Sequence, residues 1–450
     1  MYRFITNLKT IKCNSIYRRF YTPNATSTFL SNAVGELSND QIIYSFDTLS
    51  RSKVRDSNLW DHLCDKIRFN LDTLDSKDLL KIIHSLAKVS HKKLSLLSVI
   101  NRIILRKHKL IDPRDLTQYL IDLNKLDLLN INTFAPLVSA KIPDDISLFT
   151  NFDLCFILHL CSKLQYKDQL ILDSICSRFL LNDYNYQELC SDKSLLAMVF
   201  RSLSFLQYKN ELYKKLLYQG LPSSLYHFGS QELCNSLLSI VVSNLEANFD
   251  EQVKDIINSL IDRISERLSS LVEIEVNQLG ICLYFLKYNM ASFPGRFESL
   301  FNSIVELNII YTPNTSKMQL GRLLDELKLK HKSELKIGPY TLDYAIPKIN
   351  VAIEVNGYTH FFHNSKELNA LTQLKYKILK DMGWNVVGIN YYNWKNRNKQ
   401  SRLDYIVKKI TPFLEEKKIG EKYRKRRLVR SENSKNLICN IIVLIIKNIL

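Results

Sequence analysis

No CxxC pair occurs among the nine cysteines, and the nine histidines stand in no zinc-finger spacing with them. The thiols therefore read as buried side chains of a reducing compartment, and a disulfide scaffold is excluded. Glycine (11) and proline (10) are scarce for 450 residues, and 46% of residues are hydrophobic, which excludes collagen-like and disordered chains. Long apolar runs are missing too. The strongest, Leu437–Leu450, falls short of the roughly 20 residues a spanning helix needs, and Lys447 interrupts it. Finally, residues 1–35 contain no Asp or Glu.

What is present begins in that same segment. Arg3, Lys9, Lys12, Arg18 and Arg19 lie among Tyr, Phe, Ile, Ser and Thr, and Arg18-Arg19-Phe20-Tyr21-Thr22 has the form of a cleavage site. Residues 1–35 thus read as a mitochondrial targeting presequence leading to the matrix, with a plastid address as the alternative. The net charge of +17 and pI near 9.3 favour a polyanionic partner, nucleic acid or anionic lipid.

From about Gln41 to Asn308 the pattern is one amphipathic helix after another. Aligning their starts at Gln41, Asp78, Asp115, Asp153, Ser194, Glu232 and Gln278 gives separations of 37, 37, 38, 41, 38 and 46 residues. Apolar residues recur after each start, as in Leu79/Ile83/Leu86 and Leu116/Leu120/Leu123, so each helix needs a neighbour. Second helices over Leu94–Arg106, Gln169–Leu180 and Val253–Leu268 supply one. Two helices per unit at this period predict an α-solenoid over residues 37–310. Asp78, Asp115 and Asp153 complement the helix dipoles.

After a linker and a helix capped near Ser316 comes a basic approach, Lys328 to Lys336. The chain then changes character. Thr341–Ile346 and Ile349–Val355 read as strands, Lys366–Met382 as a helix with the stripe Leu368, Leu371, Leu374, Ile378 and Leu379, and Asn385–Asn390 as a third strand. Asn356-Gly357 and Gly383 supply the turn and the helix stop.

This stretch resembles the RAP domain, an RNA-binding module abundant in apicomplexans. The resemblance is carried by Asp343, Ile353-Glu354-Val355-Asn356-Gly357, His360-Phe361, Lys375 and Leu379, Gly383-Trp384, and Tyr391, Tyr392 and Trp394. The repeats ahead of it resemble heptatricopeptide and octotricopeptide arrays of organellar RNA-binding proteins. The implied architecture is an α-solenoid of helical-hairpin repeats followed by a small α/β RAP domain, 320–415, similar in fold to the PD-(D/E)xK endonucleases.

That similarity implies a site at Asp343 and Glu354, two carboxylates suited to Mg²⁺. The Lys that would activate water is replaced by Asn356, which is no general base, leaving His360 and His363 as nearby substitutes. Asp343, Glu354 and His360 are therefore catalytic candidates only if the domain cleaves RNA, and no cofactor is expected otherwise. The RNA-binding candidates are Lys375, Tyr391, Tyr392, Trp394, Lys395 and Arg397: aromatic rings stack on unpaired bases and cations meet phosphates. Trp394 is preferred for stacking. A helix over 401–417 follows, then a basic tail and apolar end, 417–450.

The sequence thus points to a mitochondrial protein that binds single-stranded RNA without catalysis and acts in processing, stability or translation of organelle transcripts or ribosomal RNA. The alternatives are an Mg²⁺-dependent endonuclease and a scaffold for ribosomal or RNA-processing proteins.

Overall fold

The computed structural model describes residues 34–290, 295–306 and 318–414. Residues 1–33 of the basic leader, the cap near Ser316 and the tail from 415 on lie outside the described residues. The helices are α1 (Asn39–Arg51), α2 (Ser57–Arg68), α3 (Ser76–Val89), α4 (Leu94–Lys107), α5 (Pro113–Lys125), α6 (Ile131–Asp145), α7 (Asn151–Lys163), α8 (Gln169–Leu180), α9 (Asp183–Ser191), α10 (Lys193–Phe205), α11 (Glu211–Lys215), α12 (Leu221–Ser224), α13 (Ser230–Ser243), α14 (Glu251–Ser265), α15 (Glu273–Asn289) and α16 (Gly295–Glu306). Every repeat start read from the sequence falls inside one of them. The described residues fall into two compact units: those up to 160 with 168–181, and 161–167 with those from 182 on.

In the first unit the helices alternate in role. The first helices pack in series, α1 on α3 and α3 on α5, and the second helices do the same, α2 on α4, α4 on α6 and α6 on α8. The pattern is that of helical-hairpin repeats, in which each apolar stripe is covered by the next pair. Equivalent chemistry builds each boundary. Ser38 and Asp75 cap α1 and α3 through the backbone N–H groups of Gln41 and Asp78. At the other end Lys53, Ser90 and Asp127 take the left-handed conformation (φ 54°, 58° and 54°). The residues after them donate back to Leu49, Leu86 and Leu123, a Schellman-type closure built without glycine.

The second unit continues the scheme with α10 on α13 and α13 on α15, then adds a sheet. Its elements are α17 (Met318–Glu326), β1 (Lys332–Ile337), β2 (Tyr340–Ile346), β3 (Val351–Asn356), α18 (Ala370–Asp381), β4 (Asn385–Asn390), α19 (Tyr391–Trp394) and α20 (Lys399–Leu414). The strand order is β1-β2-β3-β4; β3 and β4 are parallel, joined through α18, and the other pairs are antiparallel. One face packs Ile346, Val351, Ile353, Val387 and Ile389 against leucines of α17 and Leu403, Ile406 and Ile410 of α20. The other packs Leu342, Ala345 and Ala352 against Leu379 of α18.

Three expectations change. Lys332–Ile337, read as part of a basic approach, is the edge strand β1; its exposed polar residues suit an edge, which hides the period-2 signal. The helix expected from Lys366 starts at Ala370, because the Asn369 side chain accepts from Thr372 N–H and caps it there. Leu371 consequently faces outward, 43% exposed, and the buried stripe is Leu374, Ile378 and Leu379.

Candidate functional site

Alternation along β3 puts Ile353 and Val355 toward α17 and α20, and Ala352, Glu354 and Asn356 toward α18. Glu354 is buried, 3% exposed, and so is Asp343 on the neighbouring strand, at 7%. An Asp343 carboxylate oxygen accepts from the Val355 N–H at 2.7 Å. Lys375, one turn into α18, sends its ammonium inward to Glu354 Oε2 (2.5 Å) and to the Thr341 carbonyl (3.1 Å). The sequence placed Lys375 among phosphate contacts; in the fold its charge answers a buried carboxylate. Glu354 Oε1 has no hydrogen-bond partner among the described residues. Burial pushes the Glu354 carboxyl up to about 7, opposed by Lys375 and aided by the charge of Asp343.

Asn356 is bound on two sides. Its amide donates to Tyr376 Oη (2.7 Å) and to Asn390 Oδ1 (2.8 Å), and Asn390 donates in turn to Tyr392 Oη. The chain thereby ties β3 to α18, β4 and α19. It closes over Gly388, where a Cβ would stand 2.7 Å from Tyr376 Oη and 2.9 Å from Asn356 Nδ2. Gly388→Ala is therefore expected to cost about 1–3 kcal/mol by overpacking, read as a lower midpoint in urea unfolding; an unchanged midpoint would remove Gly388 from the account.

His360, proposed above as a substitute for the missing Lys, meets Thr372 Oγ1 at 3.2 Å, and its carbonyl accepts from the Asn369 N–H. These contacts hold the turn against the start of α18. His363 donates its backbone N–H to the Gln165 carbonyl. The group that reaches the Glu354 carboxylate is Lys375, and sequence spacing missed it because 21 residues separate the two.

The acidic pair does not fit a divalent cation as it stands. Mg²⁺ takes six oxygens in octahedral array and keeps several waters. Here one oxygen of Glu354 already holds an ammonium and one of Asp343 a backbone N–H, and both side chains are buried. No group of three or more His, Cys, Asp or Glu side chains stands together among the described residues.

The domain's aromatic edge is more open. Tyr391 and Tyr392 meet at 5.6 Å and both contact Phe361, at 5.8 and 5.3 Å. Lys366 lies 5.8 Å over the Tyr392 ring. Tyr391 is 41% and Tyr358 75% exposed. Lys395 is exposed, and Arg397 lies over Tyr405 with its Nε on the Asn393 carbonyl. Trp394, the preferred stacking residue, instead packs on the core beside Tyr405 with Arg402 over its ring. Tyr358 is the more accessible ring.

Comparison with known proteins points to one family. The model of the RAP domain matches residues 353–409, from the middle of β3 into α20. A RAP domain-containing protein, chloroplastic, of Oryza sativa subsp. japonica is 28% identical over 89 residues, 20% of this chain and 14% of the rice protein. The match thus spans a small part of that relative's length. Its printed name hints at an organelle, and the RAP domain itself points to RNA. Among the described residues no helix is long and apolar enough to cross a membrane. Residues 353–409 are a RAP domain, standing behind a helical N-terminal region with the form of a repeat array.

Proposed function

We propose that this protein binds single-stranded RNA in an organelle, without cleaving it, and acts in the processing, stability or translation of organelle transcripts or ribosomal RNA. The observation that carries this is the RAP domain with Tyr391 and Tyr392 packed on Phe361, Lys366 over the Tyr392 ring, and the rings of Tyr391 and Tyr358 and the side chain of Lys395 exposed. Exposed rings next to cations suit unpaired bases and their phosphates, whereas duplex bases are stacked away. The mitochondrial address follows from the acid-free leader, and the rice protein's name makes a plastid the competing address. Binding without catalysis agrees with the Glu354–Lys375 pair, which commits the carboxylate that a nuclease would give to metal.

The test is retention of labelled organellar transcripts by the purified full chain across a salt series, with Mg²⁺ and with EDTA. Intact RNA should be retained in both, and log affinity should fall with log salt by about 0.7 per phosphate contacted. Tyr358→Ala with Tyr391→Ala is expected to weaken binding about tenfold, one stacked base being worth ~1–3 kcal/mol. Mg²⁺-dependent shortening of the RNA would overturn the non-catalytic assignment, and no salt-sensitive retention would point to a protein scaffold.

A further inference from the structure

Ten residues after each repeat start stands a residue at the C-terminal end of a first helix. In order these are Arg51, Lys88, Lys125 and Lys163, then Ser204, Val242 and Tyr288. Four cations are followed by none. In the first unit Arg51, Lys88 and Lys125 are exposed, and because α1, α3 and α5 pack in series, equivalent positions form adjacent rungs of one row. The shared helix ends fix the register, since Lys53, Ser90 and Asp127 each stand two residues after a rung position in the same left-handed closure. Arg51 pairs with Asp47 on its own helix; among the described residues neither Lys88 nor Lys125 has an acidic partner.

In the second unit the same wall is taken. Helix α18 of the RAP domain packs against all three first helices, α10, α13 and α15. Lys377 Nζ donates to Asn289 Oδ1 (2.7 Å) and Asn289 Nδ2 to Asp381 Oδ2 (2.6 Å), joining α15 to α18. On α15 the ring of Tyr284 abuts Gly338 of the β1–β2 turn. Counted from the caps Asp192 and Gly229 as Arg51 is from Ser38, the rung positions here are Phe205 and Val242, both buried.

A cation in the last turn also favours the helix dipole. That alone does not account for the row, because α10 and α13 end without a basic residue there.

From this we infer that the first-helix wall of the first unit, with the row Arg51, Lys88 and Lys125, is the surface on which the array takes single-stranded RNA, one phosphate per repeat. In the repeats from Lys193 onward the corresponding wall is the seat of the RAP domain and takes no RNA. The inference rests on the RNA-binding function proposed above and narrows it to one face. Positive charge repeated at one site per helical pair, with polar side chains such as Lys81 and Gln118 beside it, matches a chain of evenly spaced phosphates.

The test compares two full-length triple variants of equal charge change on an unstructured labelled oligouridylate. Arg51→Glu, Lys88→Glu and Lys125→Glu reverse the row; Arg68→Glu, Arg102→Glu and Arg106→Glu reverse exposed arginines on the second helices α2 and α4. The row variant should lose about 2 units of salt slope, three phosphates at ~0.7 each, while the control keeps the wild-type slope. Should the row variant not fold, Lys88→Gln with Lys125→Gln, which break no ion pair, should lose about 1.4 units, two phosphates at ~0.7 each. Equal loss in row and control variants, or no loss in the row, overturns the inference while leaving RNA binding intact. Absence of salt-sensitive retention by the wild type overturns the RNA-binding function itself.

Discussion

Lys375→Met is expected to destabilise the second unit by about 3 kcal/mol at pH 8.5, because removing one partner of a buried pair leaves the other charge uncompensated. Glu354 is 3% exposed, and the ammonium of Lys375 is the only counter-charge recorded at its carboxylate among the described residues. The sign of the pH dependence follows from the carboxyl itself. Its folded value is raised from 4.5 to about 7. Its contribution to stability is therefore fully present below pH 4.5 and is lost as pH rises through 7. Methionine removes the attraction that opposes this shift, so the variant carboxyl holds its proton to still higher pH. The gap between wild type and variant should thus be small at pH 5.5 and widen through pH 7 to 9. Denaturant unfolding followed by the fluorescence of Trp384 and Trp394 measures it. A gap independent of pH would mean that Glu354 does not hold the proton balance described here.

Asn356→Lys is the substitution that sequence logic would choose to restore a nuclease, and it should fail. Asn356 is 1% exposed and donates to both Tyr376 and Asn390. A lysine there breaks both bonds and brings a second buried ammonium to a centre that already holds Lys375. The expected cost is about 3–5 kcal/mol, seen as a melting temperature lower by about 10 °C, with no Mg²⁺-dependent cleavage of RNA. A variant as stable as wild type that cleaves RNA, and loses cleavage on Glu354→Ala, would reverse the view of this centre as structural.

Both predictions arise where the chain's local pattern and its packing part company. The helices were legible because an apolar residue every three or four positions has one cheap solution, and the starts read at Gln41 and Asp78 fall three residues after the caps Ser38 and Asp75 that the structure shows. Strands β2, β3 and β4 were legible for the same kind of reason, being apolar runs with Asn356-Gly357 and Gly383 as punctuation, although the second, read from Ile349, starts at Val351 after the left-handed Asn350. Strand β1 was not, because its side chains are mostly polar and none of them is buried, so no apolar alternation marks it. Among site residues, Asp343 and Glu354 were found from their strands, whereas the role of Lys375 was not, since nothing local to α18 records what faces it.

The sequence by itself determined the helical period, the sheet's main strands, the two buried carboxylates and the aromatic edge, all of which depend on spacing along a few turns or strands. Only the tertiary structure decided that Lys375 rather than His360 meets Glu354, that Trp394 belongs to the core, and that α18 lies on α10, α13 and α15. Those outcomes depend on which distant side chains share a buried volume. There the cost of an unpaired charge or an unfilled space, and not local propensity, selects the partner.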